Sequence, residues 1–343
     1  MLLKRLTESA GLPGFESGVR GVIMAEIKAH VDSMRVDRMG NLIAVKNERA
    51  SGPHIALSAH MDEVGLAVKG IDSDGYLRVA SWGVDPRILP AKTVLVGKNK
   101  IPGVIGFKPW RLTSEAERDK AAKTEDLSID IGAFTKEEAA ELVSPGDYAA
   151  FDSEFMEFGA HKIKAKALDD RVGCAVIIGI LQSNMPYKIS AVFNTQEEVG
   201  LRGSSASANQ IFADLVINLE GTICADTSGV PEHLRVTTQG MGPAISLSDR
   251  TSVYFKKYRE AILKTARDNG IPCQFRQTGM GGTDSANFHA AHGGAPVIGL
   301  AVPCRYIHSP VSVMDKRDFE NTGALTAKFI EYFNQTGGLG RES

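Results

Sequence analysis

The sequence has few cysteines, two tryptophans, no excess of charge and no long apolar run. Its four cysteines contain no C-x-x-C pair, which excludes a zinc finger and argues against a disulfide framework; they are Cys174, Cys224, Cys273 and Cys304. The 39 Lys and Arg residues against 41 Asp and Glu leave a net charge of −2, with no basic surplus for a phosphate backbone. No apolar run reaches the ~18–20 residues of a membrane helix, and the N-terminus lacks a signal-peptide core. We therefore expect a cytoplasmic protein that binds neither nucleic acid nor membrane.

The length and composition of the chain are those of an ordinary globular protein. Its 343 residues correspond to about two domains at ~150 residues each. A hydrophobic share of 43% is enough for a buried core. The 35 glycines, about a tenth of the chain, indicate many tight turns.

The order of patterns along the chain predicts two domains, one inserted into the other. Apolar strands such as MGNLIAVK and HIALSAHMDEVGLAV lie near the start, and strands alternate with helices again from about residue 164. Between them, short β-rich runs are separated by Gly and Pro. We predict a mixed, largely parallel sheet sandwiched by helices over residues 1–68 and 162–343. A small β-rich domain over residues 69–161 is predicted to be inserted into it.

Side chains that bind metals stand at or just beyond the ends of five predicted strands, where open α/β sheets place their sites. They are His60 and Asp62, Asp169 and Asp170, Glu197 and Glu198, Glu220, and His308.

Each of these motifs has an ordinary structural explanation when taken alone. An H-x-D pair can be solvent-exposed, adjacent aspartates can cap a helix, adjacent glutamates can lie in a loop, and a loop histidine can be surface. Glu220 is the exception, because a glutamate in a buried apolar strand requires a cation beside it.

Together the motifs favour one chemistry. Two histidines and several carboxylates at the strand ends of one domain are the ligands of a two-metal hydrolase, since zinc accepts both imidazole nitrogen and carboxylate oxygen. His60 and Asp62, two residues apart, can share a face, which would let Asp62 orient the imidazole.

The strings AHMDEVG, LDDR, EEVGLRG, GMGGTDS and IHSP, in this order, resemble the tetrahedral (TET) aminopeptidase family. This family of dinuclear metallopeptidases includes glutamyl aminopeptidases and proteins once named cellulase M. The resemblance extends over nearly the whole chain, through LTESAGLPGFE near the start and IPGVIGFKP in the insert. It implies a zinc-peptidase-like fold with an inserted dimerisation domain.

The resemblance also implies a role for each matching residue. One metal would be bound by His60 and Glu220, and the other by Glu198 and His308. Asp169 would bridge the two metals, Asp62 would orient His60, and Glu197 would be the general base. The Asp169–Asp170 peptide bond is expected to be cis.

Three positions stay open at this point. Glu220 stands where many relatives have Asp, which lengthens this ligand by one methylene. Asp284 borders the site in relatives, or caps the helix that follows it. Arg250 is a candidate for contact with an acidic substrate group, or for a structural salt bridge.

The resulting hypothesis is a cytoplasmic aminopeptidase that uses two divalent ions per subunit (Zn, Co or Mn) and a water nucleophile to remove N-terminal residues from short peptides. The resemblance implies a homo-oligomer, a tetrahedral dodecamer. Three alternatives remain: a related amidohydrolase acting on non-peptide amides, a cellulase-like glycoside hydrolase, and a catalytically silent metal-binding scaffold. The preferred N-terminal residue and the metal are not determined by the sequence.

Overall fold

The computed structural model describes residues 1–115, 120–279 and 281–340. Its α-helices are α1 (Leu2–Glu8), α2 (Ser17–Ile27), α3 (Lys136–Leu142), α4 (Leu168–Gln182), α5 (Arg202–Ser207), α6 (Lys256–Asp268), α7 (Ser285–Ala290) and α8 (Lys316–Gln335). Its strands are β1 (Ser33–Val36), β2 (Leu42–Lys46), β3 (Ile55–His60), β4 (Gly65–Ile71), β5 (Leu77–Trp82), β6 (Thr93–Val96), β7 (Ile101–Gly106), β8 (Ser128–Asp130), β9 (Tyr148–Phe151), β10 (Met156–Phe158), β11 (Lys162–Ala165), β12 (Ile189–Asn194), β13 (Leu215–Ile223), β14 (Ala244–Ser246), β15 (Gln274–Arg276), β16 (Val297–Arg305) and β17 (Ser312–Asp315).

The larger sheet has parallel strands at its centre and antiparallel strands at its edges. Its main path is β1-β2-β12-β3-β13-β16-β17-β11-β10, and β14 and β15 extend from β16. The pairs β12–β3, β3–β13 and β13–β16 are parallel. The carboxyl ends of these four strands therefore open at one edge, where the predicted site residues are expected. This is the mixed, largely parallel sheet that the sequence predicts.

Both faces of this sheet are buried, because alternate residues of its strands pack to opposite sides. In β3, Leu57 belongs to the larger core beneath α1, α2, α4, α6 and α8, whereas Ala56 belongs to the smaller core on the other face. In β12, Phe193 belongs to the larger core and Val192 to the smaller one. The near-continuous apolar sequence of these strands follows from this double burial.

A small separate domain is a closed barrel of six strands in the order β4-β5-β8-β7-β6-β9. It encloses its own core, in which Leu66, Leu77, Val96, Ile105 and Ile129 are buried. Closure leaves this short-stranded sheet without open edges. The β-rich run in the sequence therefore forms a barrel that is packed around its own core.

Two local predictions need correction. The run HIALSAHMDEVGLAV is divided at residues 61–64 into β3, in the large sheet, and β4, in the barrel. The amphipathic pattern over roughly Ser252 to Asp268 predicts one long helix, but the helix begins at Lys256, because Phe255 has an extended backbone conformation. Within the described ranges, no helix combines the length and apolarity needed to cross a membrane.

Candidate active site

Seven predicted residues meet at the carboxyl edge of the central strands. His60 ends β3, Glu220 lies near the end of β13, and Glu197 and Glu198 follow β12. Asp169 lies at the start of α4 and His308 in the loop after β16; Asp62 follows His60. Parallel pairing carries these distant segments to one place.

Asp169 lies between the two histidines. Its Oδ1 is 3.4 Å from Nε2 of His60, and its Oδ2 is 3.7 Å from Nε2 of His308. Although Leu168–Gln182 is continuous, the backbone of Asp169 is not helical, with φ −83° and ψ 109°. The Asp169–Asp170 peptide bond is cis, as the resemblance implied. One carboxylate thus presents a different oxygen to each imidazole.

Asp170 uses its carboxylate differently from Asp169. Its Oδ2 accepts a hydrogen bond from the backbone N–H of His60 at 3.1 Å, and its Oδ1 accepts one from Gly173 at 2.9 Å. In Asp169, Oδ1 is buried without a hydrogen-bond partner among the described residues. Both aspartates fall within groups that could hold a metal ion. The free oxygen favours Asp169 as the ligand, and Asp170 anchors His60 to α4.

Asp62 contacts both His60 and the following carboxylate loop. Nδ1 of His60 is 3.2 Å from the carbonyl oxygen of Asp62 and 3.4 Å from its Oδ1. The carboxylate also accepts the backbone N–H groups of Glu197 at 2.9 Å and Glu198 at 3.0 Å. Asp62 therefore fixes the imidazole and the two glutamates at the same time.

Glu197 and Glu198 point towards different histidines, as adjacent residues should. Oε2 of Glu198 is 3.4 Å from Nε2 of His308, whereas Oε2 of Glu197 is 4.0 Å from Nε2 of His60. Both side chains are largely shielded from solvent. Glu197 therefore lies beside the cluster, and it is farther from His60 than Glu198 is from His308.

Glu220 is held by a neighbour that the sequence analysis missed. Asn218, two residues earlier on the same face of β13, donates from Nδ2 to Oε1 of Glu220 at 2.8 Å. The other oxygen, Oε2, is 3.6 Å from Nε2 of His60. Period-two spacing on a buried strand was the signal that could have identified Asn218.

The cluster carries a large excess of negative charge in a buried place. Six carboxylates (Asp62, Asp169, Asp170, Glu197, Glu198 and Glu220) surround two imidazoles, and no Lys or Arg of the described ranges pairs with any of them. Burial, offset in part by His308, raises the pKa of Glu198 to about 7. Burial likewise raises the pKa of Glu197 and of Glu220 well above the usual value, despite His60. Burial lowers the pKa of His60, but Glu197 and Asp169 outweigh it and hold that pKa well above its usual value.

These features fit divalent cations. Within the described residues, the buried Oδ1 of Asp169 has no hydrogen-bond partner and no Lys or Arg beside it, and the ligand atoms around it are imidazole nitrogen and carboxylate oxygen. This donor set suits Zn²⁺, Co²⁺ and Mn²⁺ alike. A cation here would also relieve the repulsion among the carboxylates.

The remaining two candidates differ in their relation to the cluster. Asp284 occupies the N-cap position of α7, but its side chain does not cap the helix; its Oδ2 accepts a hydrogen bond from Asn194 at 2.9 Å. Burial raises the pKa of Asp284 to about 6. The side chain of Arg250 is exposed and makes no ion pair within the described residues, so the structural salt bridge is not observed.

Comparison with known proteins shows the family of this chain. A profile described as M42 glutamyl aminopeptidase matches residues 40–325. The lysyl aminopeptidase of Pyrococcus furiosus is 31% identical over 344 residues, which cover 96% of each chain. The structure of aminopeptidase APDkam598 from Desulfurococcus kamchatkensis has a TM-score of 0.92 at 34% identity and covers 98% of this chain and 95% of that one.

A third similar protein is the TET1 peptidase of Pyrococcus horikoshii, which can assemble into a tetrahedron or a large octahedral shell. It has a TM-score of 0.84 at 34% identity, with coverage of 95% of this chain and 97% of that one. The resemblance to TET aminopeptidases read from the sequence is thereby confirmed. The chain belongs to the M42 glutamyl aminopeptidase family and is a peptidase.

Proposed function

We propose that this aminopeptidase removes single N-terminal residues from short peptides in the cytoplasm, with two divalent ions in its site. His60 and Glu220 would hold one ion, Glu198 and His308 the other, and Asp169 would bridge them. The observation that carries the proposal is the placement of the two oxygens of Asp169, one facing each histidine.

The bound cations, Glu197 and Asp62 would have different roles in the reaction. Bound divalent cations supply polarisation of the scissile carbonyl and acidification of the attacking water. Glu197 accepts the proton of that water on its carboxylate and returns it to the nitrogen of the departing peptide. Asp62 keeps Glu197 in place through its backbone N–H.

We also propose that the chain forms a closed homo-oligomer, a tetrahedral dodecamer. The support is its similarity to the TET1 peptidase, which can assemble into a tetrahedron or a large octahedral shell. The inserted domain, taken as residues 69–161, would form dimers between chains, with the peptidase domain over residues 1–68 and 162–343. Closed assembly would restrict substrates to short or unfolded peptides.

The test is metal-dependent release of one residue. The protein is stripped with a chelator, reloaded with Zn²⁺, Co²⁺ or Mn²⁺, and given matched peptides with free and acetylated N-termini. Reloading should restore release of the first residue from the free peptides alone. Glu197→Gln should lower kcat by about 10²–10⁴-fold, because general base catalysis is lost, while metal content stays unchanged. Glu48→Gln, at an exposed glutamate, is the control.

The other readings have distinct outcomes in the same assay. Hydrolysis of non-peptide amides without peptide cleavage would identify an amidohydrolase. Cleavage of β-linked glucose oligomers would identify a glycoside hydrolase. Full metal loading with no hydrolysis of any substrate would leave a silent scaffold. Each of these results would contradict the proposal.

A further inference from the structure

The N-terminal segment, defined here as residues 9–16, contacts three separate segments of the site. Gly11 and Glu63 exchange hydrogen bonds: the Glu63 N–H donates to the Gly11 carbonyl, and the Gly11 N–H donates to Oε1 of Glu63, both at 3.0 Å. Arg171, beside Asp170, donates to the carbonyl of Ser9 at 3.0 Å. The segment is therefore bound to the end of β3 and the start of α4.

A third contact reaches the loop that carries the two glutamates. Oε1 of Glu16 accepts the backbone N–H of Gln196 at 3.1 Å and that of Gly14 at 2.8 Å. Asp62 accepts the next two backbone N–H groups, those of Glu197 and Glu198. Two carboxylates thus hold three consecutive amides of this loop.

The surroundings of Glu16 show that this contact is specific. Glu16 is buried, and no Lys or Arg of the described ranges forms an ion pair with it. Gln196 has a φ of +54°, a left-handed conformation that is uncommon outside glycine. A buried carboxylate is costly unless its hydrogen bonds are made, so Glu16 and the turn at Gln196 depend on each other.

We propose that Glu16 is a positioning residue for Glu197. By accepting the Gln196 amide, it fixes the turn from which the Glu197 side chain projects, and it makes the N-terminal segment part of the active site. This inference rests on the proposed role of Glu197 as general base. Errors of about 1 Å in such a group can lower the rate by about 100-fold.

The chain offers a matched control in Asp318. This aspartate is also buried, and its carboxylate also accepts two backbone amides, from Gly240 at 2.7 Å and Gly242 at 2.8 Å. It hydrogen-bonds no predicted site residue through its side chain. Glu16→Ala and Asp318→Ala therefore remove comparable structural contacts, and only the first removes a contact with the Gln196 turn.

The experiment compares the two alanine variants and Glu16→Gln as metal-loaded, full-length protein. Glu16→Ala should lower kcat by about 10–100-fold, with KM and metal content nearly unchanged. Glu16→Gln keeps an acceptor oxygen and should retain most of kcat. Asp318→Ala should lose thermal stability without this loss of kcat. An equal fall of kcat in both alanine variants would overturn the inference.

A second readout does not depend on activity. In metal-free protein, hydrogen–deuterium exchange of the peptide that contains Gln196, Glu197 and Glu198 should be faster in Glu16→Ala than in Asp318→Ala. Equal exchange in the two variants would overturn the inference. If Glu197→Gln were active, the proposed base would be wrong, and the exchange data would still test whether Glu16 holds the turn.

Discussion

The two halves of the candidate site use similar residues in different surroundings. In the first half, His60 ends a central strand and its side chain is 2% exposed, beside Glu220 on the neighbouring strand. In the second half, His308 lies in a loop and its side chain is 46% exposed, opposite Glu198. Asp169 faces both halves.

The difference separates a rigid position from an accessible one. Strands β3 and β13 are buried on both faces, so the first half is fixed by the core of the sheet. The second half depends on loops, which in general are more mobile than strands and often carry binding residues. We expect the first half to hold its ion more tightly and the second half to exchange its ion with solvent.

The largest expected effect comes from removing each histidine in turn, which tests whether the two halves bind metal differently. His60→Ala should lower metal affinity in the buried half by more than about 100-fold. Loss of a residue that only hydrogen-bonds to a metal ligand already lowers metal affinity by about 10–100-fold, and loss of a ligand should lower it further. His308→Ala should lose the second ion and keep the first. Metal content after dialysis, measured by mass spectrometry, checks both. His30→Ala, at an exposed histidine, is the control; equal losses in the two site variants would refute the comparison.

A smaller effect should follow from the partner of Glu220. Asn218→Ala frees Oε1 of Glu220 to turn away from His60, so affinity in the buried half should fall by about 10–100-fold. Affinity in the half that contains His308 should stay unchanged. Competition with a graded series of chelators measures the two affinities, and Asn209→Ala, at an exposed asparagine, is the control. Loss of affinity in both halves would mean that they are not independent.

The smallest effect concerns pH in the metal-free protein. The folded pKa of Glu198 is about 7, above its usual 4.5, so the folded state binds the extra proton. The protonated Glu198 therefore contributes stability that is fully present below about pH 4.5 and is lost as pH rises through about 7. The Tm should therefore fall between pH 5 and 7, by roughly 2–4 °C for each kcal/mol lost in a domain of ~150–250 residues.

Metal should reverse this pH trend, because a bound cation stabilises the ionised carboxylate. Glu198→Gln should make the Tm profile of the metal-free protein less steep between pH 5 and 7, since it removes one of the buried carboxyl groups that titrate there. Scanning calorimetry with chelator and with added metal measures both profiles. A metal-free profile that rises with pH would contradict the assignment of the raised pKa.

The comparison also shows where sequence reasoning succeeds and where it stops. His60, Glu197, Glu198 and Glu220 were identified because each follows or ends an apolar strand, a pattern carried by a few neighbouring residues. Asn218 was missed although it is only two residues from Glu220. The sequence could not show that its amide contacts the carboxylate and not another strand.

Asp169 and Asp170 illustrate the same limit. They are chemically identical neighbours, and the resemblance alone favoured Asp169. In the structure, the carboxylate of Asp170 accepts two backbone amides, whereas Oδ1 of Asp169 accepts none from the part of the chain that the structure describes. Which of two adjacent carboxylates is free depends on segments more than 100 residues away, namely the strand that ends at His60.

The sequence by itself determined the family, the alternation of strands and helices, the β-rich insert and the residues able to bind metal, because these depend on local periodicity and on short motifs. Tertiary structure decided the closure of the insert into a barrel, the division into a buried and an exposed half-site, and the contact of Glu16 with Gln196. These depend on contacts between segments that are far apart in the sequence, such as Leu66 with Ala149 in the barrel and Glu16 with Gln196, and such contacts are set by the packing of the whole chain.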